Sequence, residues 1–200
     1  MGCLGALSLC ISSQVHAQAQ AQAAYPNKPI RLVVGYAPGG SADIAAHPIA
    51  DRLRLELGQL VISDNRPGAG GNIGTEAVAR AAPDGNTILL AASGQIVINP
   101  SLNKKMLFDP TKDLVPITQR QNEHNLMVVN PAIPARTVGE FIAYAKSRPE
   151  GITYASPGVG SPAHLAGELM NQMAGLQMQH VPYKGSGPAR NDLIAGHVTT

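Results

Sequence analysis

The sequence predicts an α/β protein built as two lobes in series, each a mainly parallel sheet covered by helices. Three observations predict it. Short apolar runs alternate with segments of helical period in the order β-α-β-α-β, and a second set of the same kind follows. Loops rich in glycine stand between a strand and the helix after it, where open α/β sheets hold their ligands. The 200 residues are 44% hydrophobic and 14% charged, which suits one or two globular domains rather than a disordered chain.

The N-terminal 24 residues carry no Lys, Arg, Asp or Glu. Leu4 to Val15 is apolar but too short to span a bilayer, and small residues follow it to Ala24. Residues 1–24 therefore read as a secretory signal with cleavage near Ala17 or Ala24. Both cysteines, Cys3 and Cys10, fall inside it, so no disulfide or thiolate metal site is expected in the body of the chain.

Lobe one is expected over residues 25–122. Ile30 to Val34 is a strand, followed by the loop Gly35-Tyr36-Ala37-Pro38-Gly39-Gly40. Ser41 caps the next helix. Pro48 removes a backbone donor there, so the regular helix is expected to begin near His47 and to end at Gly58. Leu60 to Ser63 and Thr87 to Ala92 are strands on either side of a helix from Ile73 to Ala81. Leu114 to Gln119 is expected as a connecting strand.

Lobe two is expected over residues 123–200, with a hinge near residues 120–125. Leu126 to Val129, Ile152 to Ala155 and Gln177 to Val181 read as strands. Thr137 to Lys146 is a helix opened by a capping box from Thr137 to Glu140. Ser161 and Pro162 stand as cap and first residue of a helix to Ala174, and Pro188 to Ala195 is the last helix. His197 to Thr199 would begin a further strand.

Composition and motifs exclude several functions. A net charge of +2 with scattered Lys and Arg, 4% aromatics and no Trp give no nucleic-acid footprint. Gly158-Val159-Gly160 lacks the third glycine of a dinucleotide loop, and there is no phosphate-loop lysine motif. Ser93 and Ser186 lack the spacing of a nucleophile elbow. No two of the six histidines stand four apart on a helix, so neither a metal nor a cofactor is expected.

The chemistry is expected at two loops, Tyr36 to Asp43 and Ser156 to His164. Both lead into helix N-termini, where free N–H groups and the dipole favour anions. Two such loops on two lobes could clamp one carboxylate. The same glycines and serines could also merely make turns. His164 reads as a brace for its loop or a ligand contact, Asp43 as a cap or an acceptor, and Arg66 as a solvated or bridging cation more than a carboxylate partner.

Several of these stretches resemble the Bordetella-uptake-gene family, the extracytoplasmic receptors of tripartite tricarboxylate transporters. The matching segments are Tyr25-Pro26-x-Lys28-Pro29-Ile30, Val33 to Asp43, Asp64 to Gly71, Pro83-Asp84-Gly85 and Phe108-Asp109-Pro110 with Asp113-Leu114-x-Pro116-Ile117. Tyr154 to Ser161, His164-Leu165-Ala166-Gly167-Glu168 and Val181 to Gly185 continue the match to the end of the chain.

The resemblance implies a two-lobed, periplasmic-binding-protein-like fold of the type II, Venus-flytrap kind. It implies a receptor and not an enzyme. The ligand would be a di- or tricarboxylate, an acidic amino acid or an aromatic acid, held in the periplasm by a monomer and handed to membrane permease subunits. Carried over, the ligand-binding residues are Tyr36, Gly39, Gly40, Ser41, Ala42, Asp43, Ser93, Gln95, Ser156, Gly158, Gly160, Ser161 and His164. His47-Pro48, Asn86 and Gln95 depart from the usual pattern. In the family the chain returns from lobe two to complete lobe one, and this sequence ends before that return, so lobe one is expected to be incomplete. Two other readings stand beside this one. A sensory receptor would present the bound form to a membrane kinase. An acyl or glycosyl transfer enzyme would use Ser93 or Asp43, but no base or second carboxylate accompanies either.

Overall fold

A computed structural model describes residues 25–148 and 150–200. The expected signal segment, residues 1–24, lies outside them. The described chain forms two parallel sheets, each with its own apolar core.

The first sheet has the order β2-β1-β3, with β1 Ile30–Val34, β2 Val61–Asn65 and β3 Thr87–Leu90, all parallel. The central strand β1 is buried on both faces apart from Arg31, which explains its nearly continuous apolar run. Ile30, Leu32 and Val34 pack against Ala46 and Ala50 of α1, Ser41–Leu57. Helix α2, Asn72–Ala79, follows a tight 3-10 turn at Ala69–Gly71.

The first helix corrects two expectations. It runs unbroken from Ser41 through Pro48, and Gly40 rather than Ser41 is its N-cap. Ile44, whose carbonyl the residue at 48 would otherwise engage, is 58% exposed, and Pro48 itself is exposed. Water can therefore satisfy the freed carbonyl at little cost, and the helix continues. After β3 the chain also forms a π-helical turn at Gly94–Ile98 and a short helix α3, Asn99–Leu102, neither of which the sequence pattern suggested.

The second sheet pairs β4, Thr153–Ser156, with β5, Gln179–Pro182, in parallel. Helices α4, Val138–Lys146, and α5, Pro162–Ala174, have the expected caps. Thr137 and Glu140 complete the capping box reciprocally, and Ser161 Oγ accepts from the His164 N–H. Phe141, 1% exposed, is the centre of the second core, with Ile152, Tyr154, Leu176 and Met178 around it. The last helix, α6, covers Ser186–Ala195, two residues earlier than its proline suggested.

Two expected strands do not form. Residues 114–119 and 126–129 make no sheet, and Val115, Ile117 and Leu126 are 80–89% exposed. A strand exists by pairing, and these segments have no backbone ladder among the described residues. Residues 197–199, expected to begin a further strand, form none either, although the last residues approach β4. The Ala155 N–H donates to Thr200 O at 2.7 Å, and the Asn130 N–H donates to Thr199 O at 3.2 Å.

Candidate functional site

The loop after β1 is fixed from below by Asp43 and Asn65. Asp43 Oδ2 accepts the Gly39 N–H at 2.9 Å. Asn65, at the carboxyl end of β2, donates through Nδ2 to Asp43 Oδ1 at 2.9 Å and to Tyr36 O at 3.0 Å. Burial pushes the Asp43 carboxyl up, but the hydrogen bonds from Gly39 and Asn65 and the nearby His47 together outweigh it. The carboxylate is therefore held below its ordinary range, and it stays ionised beneath the loop. Tyr36 is buried, which with Glu123 pushes its hydroxyl up to about 12, and that hydroxyl donates to Gly70 O at 3.2 Å.

The loop after β4 is also braced by its own side chains. Ser156 Oγ lies 3.1 Å from the Gly158 N and O atoms and 2.7 Å from His180 Nε2. His164 Nδ1 accepts the Gly160 N–H at 3.3 Å. The His164 and His180 rings stack with centroids 4.1 Å apart, and Tyr154 stacks on the other face of His180 at 4.8 Å. Tyr154 donates its hydroxyl to Glu168 at 2.5 Å.

The loop after β1 meets the second lobe through the loop after β5 and through α6. The Ala37 N–H donates to Lys184 O at 2.8 Å, the Ser41 N–H to Ser186 Oγ at 3.0 Å, and the Arg190 guanidinium to Gly39 O at 3.3 Å. A second contact joins the turn at Gly70 to Val159. A β-carbon on Gly70 would lie 2.3 Å from Val159 O. One on Gly160 would lie 1.8 Å from Asn99 Oδ1, and Gly160 has φ +77°, so glycine is required there on both counts. Asn99 is itself held by a hydrogen bond to Asn72.

The arrangement gathers most of the residues that the sequence pointed to. Tyr36, Gly39, Gly40, Ser41, Ala42 and Asp43 lie on one side, and Ser156, Gly158, Gly160, Ser161 and His164 on the other. The N–H groups of Gly39, Ser41, Gly158, Gly160 and Ser161 are already taken by protein acceptors. Those of Gly40, Ala42 and Asp43, at the start of α1, have no acceptor among the described residues. They are unpaired donors of this loop, those of Gly40 and Asp43 on buried residues. Ser93 is exposed after β3. Gln95 is wholly buried, and both its polar atoms are used by backbone, Oε1 by the Ala92 N–H and Nε2 by Gly71 O.

Asn65, Asn99, His180, Ser186 and Arg190 complete the region and were missed in the sequence. Asn65 follows a strand at its carboxyl end and could have been found by that rule. The other four come together only by folding. Arg66 donates to Asp64 at 2.9 Å beside Arg31, which is the bridging role expected of it. Two surface hollows, of about 350 and 150 Å³, lie away from the loops. The larger is at the amino ends of β4 and β5, beside Ile152 and Met178. Among the described residues no cluster of His, Cys, Asp and Glu could hold a metal ion, and no helix is long and apolar enough to cross a membrane.

Two parallel sheets, each with its own core and helices and each followed by glycine loops at the carboxyl ends of its strands, define a two-lobed α/β protein. The comparisons with known proteins agree. The family model for the tripartite tricarboxylate transporter family receptor matches residues 45–200, and the chain belongs to that family. It is 40% identical over 175 residues to Protein BugT of Bordetella pertussis, covering 87% of this chain and 54% of that one. The chain thus spans about half the length of the curated relatives it matches. Two solved structures are close in shape. One, a periplasmic transporter, has a TM-score of 0.85 at 42% identity, covering 88% of this chain and 59% of the other. The second, an R. palustris protein with adipate, has a TM-score of 0.84 at 36% identity, covering 88% and 58%. The family is one of receptors, not enzymes.

Proposed function

We propose that this chain captures a small carboxylate between its lobes in the periplasm and presents it to membrane permease subunits of a tripartite tricarboxylate-type transporter. The observation that carries this reading is that the loop after β1 and the loop after β4 each stand between a parallel strand and a helix N-terminus, on two sheets whose lobes touch through α6 and through the Gly70–Val159 contact. One acid carboxylate meets the open amides of Gly40, Ala42 and Asp43, where the helix dipole favours it. The rest of the acid lies toward Ser93 and the Ser156–His164 loop, with Ser161 and His164 nearest the second helix. Residues 25–122 and 123–200 act as the two lobes and close about a hinge near residues 120–125. The contacts of Lys184, Ser186 and Arg190 with the first loop hold the closed form. The adipate bound by a relative of the same fold supports a dicarboxylate as the ligand class. Export rests on the signal reading of residues 1–24, and the chain acts as a monomer.

A thermal melt with adipate, citrate, succinate, glutamate and nicotinate tests the reading. A ligand at one hundred times its dissociation constant stabilises the folded form by about 2.7 kcal/mol, a plainly visible shift. The expected result is an upward shift with one class of acid. A cooperative melt that none of the acids moves would overturn it.

A further inference from the structure

Tyr154, His180 and His164 form a stack beneath the loop after β4. Its two imidazoles do different work on one loop. His164 Nδ1 accepts the Gly160 N–H directly, which requires that nitrogen to be bare. His180 acts through Ser156. A serine hydroxyl has one proton, and with that proton on Gly158 O the oxygen accepts from both the Gly158 N–H and His180 Nε2–H. The Ser156 hydroxyl is then fully used, one proton given and two accepted.

We propose that His180 is a positioning residue for the carboxylate-binding loop, fixing Gly158 through Ser156 while its ring stacks on Tyr154 and His164. The inference rests on the carboxylate reading given above. The groups acting on His180 are His164 and Glu168 of α5 and Tyr154 of β4. Burial and the His164 ring hold the His180 imidazole below its ordinary 6.5, partly offset by Glu168. The neutral form therefore prevails at pH 7.

The test compares wild type with His180→Phe, which keeps the stack but loses the hydrogen bond, and His180→Gln, which keeps a hydrogen bond and cannot titrate. Without ligand, amide exchange at Gly158 read by ¹⁵N NMR should be at least tenfold faster in His180→Phe and restored in His180→Gln. With adipate as the probe, His180→Phe should weaken binding tenfold or more at pH 7.5. His180→Gln should bind adipate within about twofold of wild type. Unchanged Gly158 exchange in a folded His180→Phe, or exchange that stays fast in His180→Gln, would overturn the proposal. A failure of wild type to bind any acid would instead count against the carboxylate reading, while the Gly158 exchange still decides the role of His180.

Discussion

Asn65 Nδ2 donates to Asp43 Oδ1 at 2.9 Å and ties the end of β2 to the first turn of α1. The same nitrogen donates to Tyr36 O, so one amide sets the shape of the whole first loop. Asn65→Ala leaves two partly buried acceptors without a donor and should cost about 1–3 kcal/mol in a urea melt. A change under 0.5 kcal/mol would mean that water replaces the amide freely and that the loop does not depend on it.

Asp43 also gives the stability a pH dependence. Its carboxyl is held below the ordinary 3.8 in the folded chain, so the unfolded chain binds the proton more readily. The stabilisation is full above that ordinary value and is lost as pH falls through the folded one. Asp64, held down by Arg31 first and then by Arg66, adds in the same direction. Denaturant midpoints should fall between pH 5 and 2, less steeply in Asp43→Asn. An identical slope in that variant would assign the effect elsewhere.

Gly160→Ala tests the contact between the lobes. The new β-carbon would sit 1.8 Å from Asn99 Oδ1. Gly175 has a similar positive φ, +63°, and nothing within 4 Å of its added carbon, so Gly175→Ala carries the backbone cost alone, about 1–2 kcal/mol. Gly160→Ala should exceed it in a melt and separate the lobes in small-angle scattering. Equal costs and unchanged scattering would show that Asn99 simply moves aside.

Removing the contacts of α6 with the first loop should open the molecule without unfolding it. In Ser186→Ala with Arg190→Ala, the Ser41 N–H and Gly39 O lose their partners on the second lobe. Both side chains belong to a partly exposed region, so the melt should move by about 1 kcal/mol or less. The scattering radius should rise. No change in radius would place the closure at the Gly70–Val159 contact instead.

Phe141→Ala is the sharpest probe of the second core. The ring is 1% exposed among Ile152, Tyr154, Leu176 and Met178, and its loss should cost about 3–5 kcal/mol. A cost near 1 kcal/mol would mean that α4 collapses onto the sheet to fill the space.

Much of this architecture is legible in the chain because it is locally encoded. β1 reads correctly because both its faces are buried and every position but Arg31 is apolar. The capping box at Thr137 and the Ser161-Pro162 start of α5 read correctly because cap chemistry depends on residues three apart. Pro48 misleads because its penalty depends on which side of α1 faces water. Residues 114–119 and 126–129 have the composition of strands, but pairing decides a strand and composition does not record the partner.

The site divides in the same way. The sequence alone determined that glycine loops follow β1 and β4 and open onto helix N-termini, because those features are contiguous. Only the tertiary structure decided which amides remain open, since Asp43, Ser156, Ser186 and His164 occupy several of them from other positions in the chain. It also decided that His180, 24 residues from Ser156, braces that serine. Such long-range hydrogen bonds depend on where two parallel sheets place their strand ends in space, and no local spacing carries that information.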